Sequence, residues 1–283
     1  MQTENQTPHE DKWKKATLSN NFIFYKVMRD HIPACQKLIE MLLKIKLKQI
    51  KFHAEEVIEI DNWAKGIRLD VFVKDTGKVF DLELQVANTA ELPERARYYA
   101  ASMAVDSLKS GQKYRELSDS HVIFICLEDI FENGLPVYTF ENICLEDEKI
   151  KLNDRDYKHF FIAPTCAKML EDREIRSFFD FLITGKTSSS FTKELEGYVA
   201  EAKQNHEYKR QFMNWERQRA YDFDDGKQAG LQEGLQQGIE QGAHQKALED
   251  AENFLRVGDS PEKVARCIGL PLEEVQKIAE KIK

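Results

Sequence analysis

Residues 68–85, RLDVFVKDTGKVFDLELQ, limit the folding options of this chain most, because two runs of alternating side chains flank a turn. In extended backbone, Ile67, Leu69, Val71 and Val73 point to one side of the first run, and Arg68, Asp70, Phe72 and Lys74 to the other. The second run alternates more cleanly. Phe80, Leu82, Leu84 and Val86 make its apolar side, with Val79, Asp81, Glu83 and Gln85 opposite. Between the runs, Asp75, Thr76, Gly77 and Lys78 carry turn chemistry, and Gly77 can take a positive φ. The pattern predicts a β-hairpin with its acids gathered on one face.

If Thr76 and Gly77 form a two-residue loop, facing residues have numbers that add to 153, which sets Asp70 against Glu83 and Arg68 against Gln85. A four-residue loop keeps that parity, whereas a bulge shifts it. Two carboxylates directly across a strand pair repel, and a cation between them relieves the repulsion. Mg²⁺ suits such a place, with Mn²⁺ as a substitute. It takes oxygens from one or two carboxylates, keeps waters, and completes its shell with substrate phosphate oxygens.

The ordered set of an Asp on one strand (Asp70), Glu83-Leu84-Gln85 on the next, and Arg95, Tyr98 and Tyr99 opening a helix resembles the recombination-promoting nuclease and transposase family. That family lies within the PD-(D/E)XK nuclease superfamily. The resemblance runs from about Phe22 to about Phe161, through GQKYREL at 111–117 and the apolar run HVIFICL after it. It implies an α/β fold with a mixed central sheet flanked by helices, and metal-dependent hydrolysis of DNA phosphodiester bonds in recombination, transposition or mobile-element functions. Asp70, Glu83 and the main-chain carbonyl of Leu84 would hold one or two Mg²⁺ ions that activate water and neutralise charge on the scissile phosphate. Gln85 stands where the superfamily usually has Lys; an amide can orient water but cannot stabilise developing negative charge, so more depends on metal and on Arg95. Arg95 either contacts a phosphate or pairs with a carboxylate such as Asp81 or Glu83.

Two other readings fit the same residues. The hairpin acids can be vestigial in a dimeric DNA-associated factor, or an ordinary solvated sheet face in an interaction protein.

Composition bears on partners. Charged residues are 32% of the chain and the formal net charge is −8, so this is not a basic protein that coats nucleic acid nonspecifically. A local Lys/Arg face can still dock DNA. Five scattered cysteines, with no C-x-x-C, read as reduced thiols of a cytoplasmic protein, and the seven dispersed histidines show no zinc spacing. Residues 1–15 are polar with no apolar h-region, and no stretch approaches the ~20 apolar residues of a membrane span.

Along the chain, residues 1–20 form a polar tail and 21–184 the nuclease-like domain. Helical periodicity covers 21–47, where Leu38, Met41, Leu42 and Ile45 recur behind Pro33. Glu40 on that helix, and Glu55 or Glu56 on a weak strand over 50–61, are further acids that can either reach the metal or stay solvated. Residues 92–108 predict a helix whose Leu92, Ala96, Tyr99 and Met103 face the sheet, with Arg95, Tyr98 and Ser102 on a separate stripe. Residues 121–127 predict a fully covered central strand, followed by one or two strands over 137–145 and helix over about 165–182.

Residues 185–225 read as a linker, GKTSSS, and a long charged helix. In 226–246, Gly226, Gly230, Gly234, Gly238 and Gly242 recur every fourth residue beside Leu231, Leu235 and Ile239. Each interior Gly costs a helix roughly 1 kcal/mol, so the segment reads as a homodimerising helix whose ridge admits a close partner, or as a flexible linker. Residues 247–283 predict short helices, one capped by Ser260 with Pro261 and Glu262 in its first turn and one starting at Leu270-Pro271. The C-terminal extension is thus all-helical.

Overall fold

From Val71 to Leu82 the hairpin forms in the predicted register, while the expected oppositions of Asp70 with Glu83 and of Arg68 with Gln85 are not among the described pairs. In this computed structural model, which describes residues 8–52, 57–58, 67–68, 71–87 and 89–282, strand β4 (Val71–Asp75) pairs antiparallel with β5 (Lys78–Gln85). Val71 faces Leu82, Phe72 faces Asp81 and Asp75 faces Lys78, every pair adding to 153. Gly77 turns the chain with φ of 72°, a left-handed value that glycine adopts without strain. Asp70, Glu55 and Glu56 lie outside the described residues. The first predicted strand is divided: Ile67 and Arg68 form β3, which pairs with β2 (Val57–Ile58) in a separate two-stranded sheet.

Around the hairpin a six-stranded mixed sheet is built in the order β1-β4-β5-β6-β8-β7. The strands β1 (Lys51–Phe52) and β7 (Val137–Phe140) are antiparallel to their neighbours, whereas β6 (Asp119–Cys126) runs parallel to both β5 and β8 (Asp156–Ile162). Because β5 and β6 are parallel neighbours, their connection must cross over the sheet, and helix α4 (Leu92–Ser107) makes the crossing. The face beneath α4 gathers Phe72, Val79, Val122, Phe124, Cys126 and Phe160 with Leu92, Ala96, Ala100 and Met103 of the helix. Val71, Val73, Phe80, Leu82, Leu84, Ile123, Ile125 and Phe161 are buried as well, so both faces are covered, as the apolar run at 121–127 predicted.

Several predicted elements are broken by local chemistry. The helix expected over 21–47 is two, α2 (Asn21–Asp30) and α3 (Ile32–Leu43), divided at His31, since Pro33 in the first turn of α3 cannot continue the preceding helix. The helix expected over 165–182 is likewise α5 (Ala163–Met169) and α6 (Arg173–Thr184), because Asp172 caps the second by accepting from the amides of Glu174 and Ile175. Strand β7 ends at Phe140, short of the expected 145. Strand β8 was not predicted; Asp156, Lys158 and His159 interrupt its apolar side and hide the alternation. At the amino end, α1 (Pro8–Lys15) precedes α2.

The chain divides into two units, one through Met213 and one from Asn214. In the first, α7 (Ser190–Gln204) starts in a capping box between Ser189 and Thr192, and Phe212 packs against Trp13 and Phe22. Asn205 ends α7 and leads into α8 (His206–Val257), so the charged helix predicted to begin near 191 is two helices. In the second unit, the later part of α8 joins α9 (Pro261–Ile268) and α10 (Leu272–Ile282) around Ala251, Val264, Ala265, Leu270 and Val275. Ser260 caps α9, accepting from the amide of Lys263 as its sequence predicted.

Candidate active site on the β5–α4 face

Alternation along β5 turns Val79, Asp81, Glu83 and Gln85 toward α4, and burial in the sheet centre makes the two acids costly. Asp81 is 0% exposed and Glu83 3%. Across the parallel β5–β6 register, Asp81 sits beside Val122, Glu83 beside Phe124 and Gln85 beside Cys126, so apolar side chains flank the carboxylates.

Helix α4 supplies a counter-charge. Arg95 Nη2 lies 3.2 Å from Glu83 Oε2, and Nη1 donates to Gln85 Oε1 at 3.0 Å. The same Nη2 donates to the Tyr99 hydroxyl at 3.2 Å, one helical turn on, and the guanidinium lies over the Tyr99 and Phe124 rings. Gln85 uses both ends of its amide, because Nε2 donates to the Ala87 carbonyl. A lysine at this position would lack the acceptor that Arg95 uses. Burial pushes the Tyr99 phenol up to about 12, and the negative charges of Glu83 and Asp81 add to that push.

The structure therefore brings Glu83, Leu84, Gln85 and Arg95 together. Tyr99, expected only to pack on the sheet, is half-buried and joins the group through its hydroxyl. The Arg95, Tyr98 and Ser102 stripe is not one surface: Tyr98 is 36% exposed, while Ser102 is buried with its hydroxyl on the Tyr98 carbonyl. Glu40 is engaged elsewhere. Its Oε1 accepts from the Leu47 amide at 2.9 Å, its Oε2 takes Lys46 Nζ at 3.1 Å, and these contacts, the Leu47 amide foremost, hold its carboxyl below the usual range. Asp81, which the sequence offered as a partner for Arg95 and not as a metal ligand, is fully buried on the Glu83 face, where its place in the alternating D-L-E-L-Q run sets it.

The donors here are oxygens: the Glu83 carboxylate, the main-chain carbonyls, and Asp81 on the same face. Hard divalent cations favour that chemistry. The residues present thus fit such an ion, although no group of three or more His, Cys, Asp or Glu is clustered for a metal among the described residues.

A mixed sheet with buried acids on its central hairpin and a crossover helix that brings an arginine to them is the framework of a nuclease-type α/β fold. The family model described as PD-(D/E)XK nuclease family transposase matches residues 30–184, more than half of the chain, and the chain belongs to that family. No curated protein and no solved structure matches it. Membership gives the protein a nuclease- or transposase-related function, and nucleases of this family generally use divalent metals.

Proposed function

We propose that the protein is a Mg²⁺-dependent DNA endonuclease, with Mn²⁺ as an alternative ion, acting in the cytoplasm in recombination, transposition or mobile-element functions. The observation that supports this most is the Arg95 guanidinium bridging Glu83 and Gln85 at the end of β5, next to the buried Asp81. Glu83, the Leu84 carbonyl and Asp70 would hold the ion; when bound, it supplies Lewis acidity toward a phosphate oxygen and a more acidic water. Glu83 fixes Arg95 in orientation. Arg95, a third exposed, is accessible to a phosphate from solvent and carries the positive charge that Gln85 lacks. Gln85 orients that guanidinium through its Oε1.

Nicking of supercoiled plasmid with Mg²⁺ or Mn²⁺, under EDTA controls, tests the reading. Cleavage lost in both Asp70→Ala and Glu83→Ala supports it. DNA binding without cleavage moves the protein to a DNA-associated factor, and absence of both to an interaction protein.

The proposal includes a homodimer through the C-terminal helices. Leu231, Leu235 and Ile239 are 73%, 65% and 59% exposed on α8, and a Cβ added at Gly226, Gly230, Gly234, Gly238 or Gly242 would meet nothing within 4 Å. The glycines are thus not required by packing within the chain, and a second helix can approach closely along them. Light scattering of the full chain, and of Leu231→Ser/Leu235→Ser/Ile239→Ser, checks this; a monomer at micromolar concentration sinks it.

A further inference from the structure

Although the chain carries a net charge of −8, residues 44–51, KIKLKQIK, hold four lysines and no acid. Their alternation with apolar residues sorts the charges outward. Leu47 and Ile50 are buried, while Lys44, Lys46, Lys48 and Lys51 are exposed. The backbone is pinned by two carboxylates: Glu40 accepts from the Leu47 amide at 2.9 Å, and Asp75 accepts from the amides of Lys48 and Gln49 at 3.2 and 3.3 Å. Lys44 ends α3 with φ of 54°, where the helix dipole accounts for its charge. Lys46 pairs with Glu40 at 3.1 Å yet stays 91% exposed, and with Lys48 and Lys51 it makes an exposed basic strip.

Lys51, which ends the strip, lies on the side of the sheet that carries Glu83. Lys51 pairs directly with Lys74, and Lys74 with Val79, so all three project from the α4 face, as Glu83 does. Two strand spacings and four residues of rise place Lys51 about 16 Å from Glu83, a reach of two to three phosphates along a DNA strand. Lys51 and Lys74 are like charges directly across an antiparallel pair, an arrangement that costs stability and that, among the described residues, Asp106, 2.7 Å from Lys74 Nζ, offsets on one side. An anion over Lys51 would relieve it. No aromatic residue interleaves the lysines, so the strip offers charge to a backbone rather than platforms for unstacked bases.

Resting on the nuclease reading above, we propose that Lys46, Lys48 and Lys51 form the docking surface for the phosphate backbone of duplex DNA, aligning it along the edge of the sheet toward Glu83. The test is fluorescence anisotropy on labelled duplex DNA in EDTA across a salt series, with wild type and Lys46→Gln/Lys48→Gln/Lys51→Gln. The exposed substitutions should leave thermal melting unchanged, weaken duplex binding at least ~10-fold at 0.1 M salt, and shrink the slope of log K against log salt by about 2 to 3. An unchanged affinity and slope overturns the proposal. So does a wild-type protein that fails to bind duplex, or a variant that loses single-strand binding alone. Plasmid nicking by the wild type in Mg²⁺ is scored separately: weakened duplex binding in the variant beside an inert wild type supports the surface and removes the nuclease.

Discussion

Arg95 reaches down from α4 to within 3.2 Å of Glu83, whose side chain is 4% exposed while that of Arg95 is 33% exposed. The buried partner depends more on the pair than the exposed one, since removing the arginine leaves a carboxylate in an apolar setting. Arg95→Ala is expected to destabilise the first unit by about 1–3 kcal/mol, discounted for the solvent that screens the guanidinium. A divalent ion at the same carboxylate should return part of the loss. Thermal melts with Mg²⁺ and with EDTA measure both; equal melting of wild type and Arg95→Ala would contradict the pair's role.

Gln85 and Arg95 form a matched acceptor and donor, so moving the cation between them tests the division of labour. Gln85→Lys alone sets an ammonium against the guanidinium and should cost about 1 kcal/mol. Combined with Arg95→Ala it restores one positive charge beside Glu83. Plasmid nicking by the double variant should exceed that of Arg95→Ala alone; equal or lower rates would show that position 85 cannot carry the charge.

On the other face of the sheet, His121 Nδ1 lies 3.2 Å from His159 Nε2, and His159 Nδ1 lies 3.2 Å from the Thr139 hydroxyl. Phe80 and Tyr157 stack on His121. Burial lowers His121 to about 3, helped by His159 and Lys78 and opposed by Asp119, and burial lowers His159 to about 4. The folded state therefore keeps both rings neutral below pH 6.5, where the unfolded chain takes up protons. Stability is full above that pH and falls as pH drops toward 4, by up to ~1.4 kcal/mol per unit for each histidine. Denaturant unfolding at pH 7.5 and 5 should differ by up to roughly 4 kcal/mol for the two rings together, and His121→Phe should flatten the dependence. A pH-independent midpoint for wild type would refute the assignment.

Gly234 sits in exposed helix with open space where a Cβ would stand. Gly230→Ala/Gly234→Ala/Gly238→Ala should therefore raise the helicity of monomeric α8, by roughly 0.5–1 kcal/mol per site, while weakening self-association through added bulk. Circular dichroism and sedimentation equilibrium separate the two effects. Stronger association in the triple variant would exclude close packing along the glycines.

Gly77 has open space too, yet its φ of 72° is strained for any side chain. Gly77→Val is expected to lose about 1–2 kcal/mol through backbone strain alone. Unchanged unfolding would mean that the turn relaxes to another type.

Period-two patterning and turn chemistry were sufficient to read the hairpin, its register and the face shared by Asp81, Glu83 and Gln85, because adjacent strands interact through local alternation. Cap residues were equally legible at Ser260, where the signal lies within one turn of its effect. Strand β8 was not, since its membership of the sheet depends on pairing with β6, distant in sequence, and its polar residues break the pattern. The partnership of Arg95 with Glu83 lay between these cases: sequence brought both to the vicinity of one sheet face and left two partners open. Only the crossover geometry of α4, which lowers Arg95 onto β5 and ties Tyr99 and Gln85 to it, decided which charge it meets. Local chemistry writes strands, turns and caps into the sequence, whereas which buried acid is neutralised, and by what, depends on the packing of elements far apart in the chain.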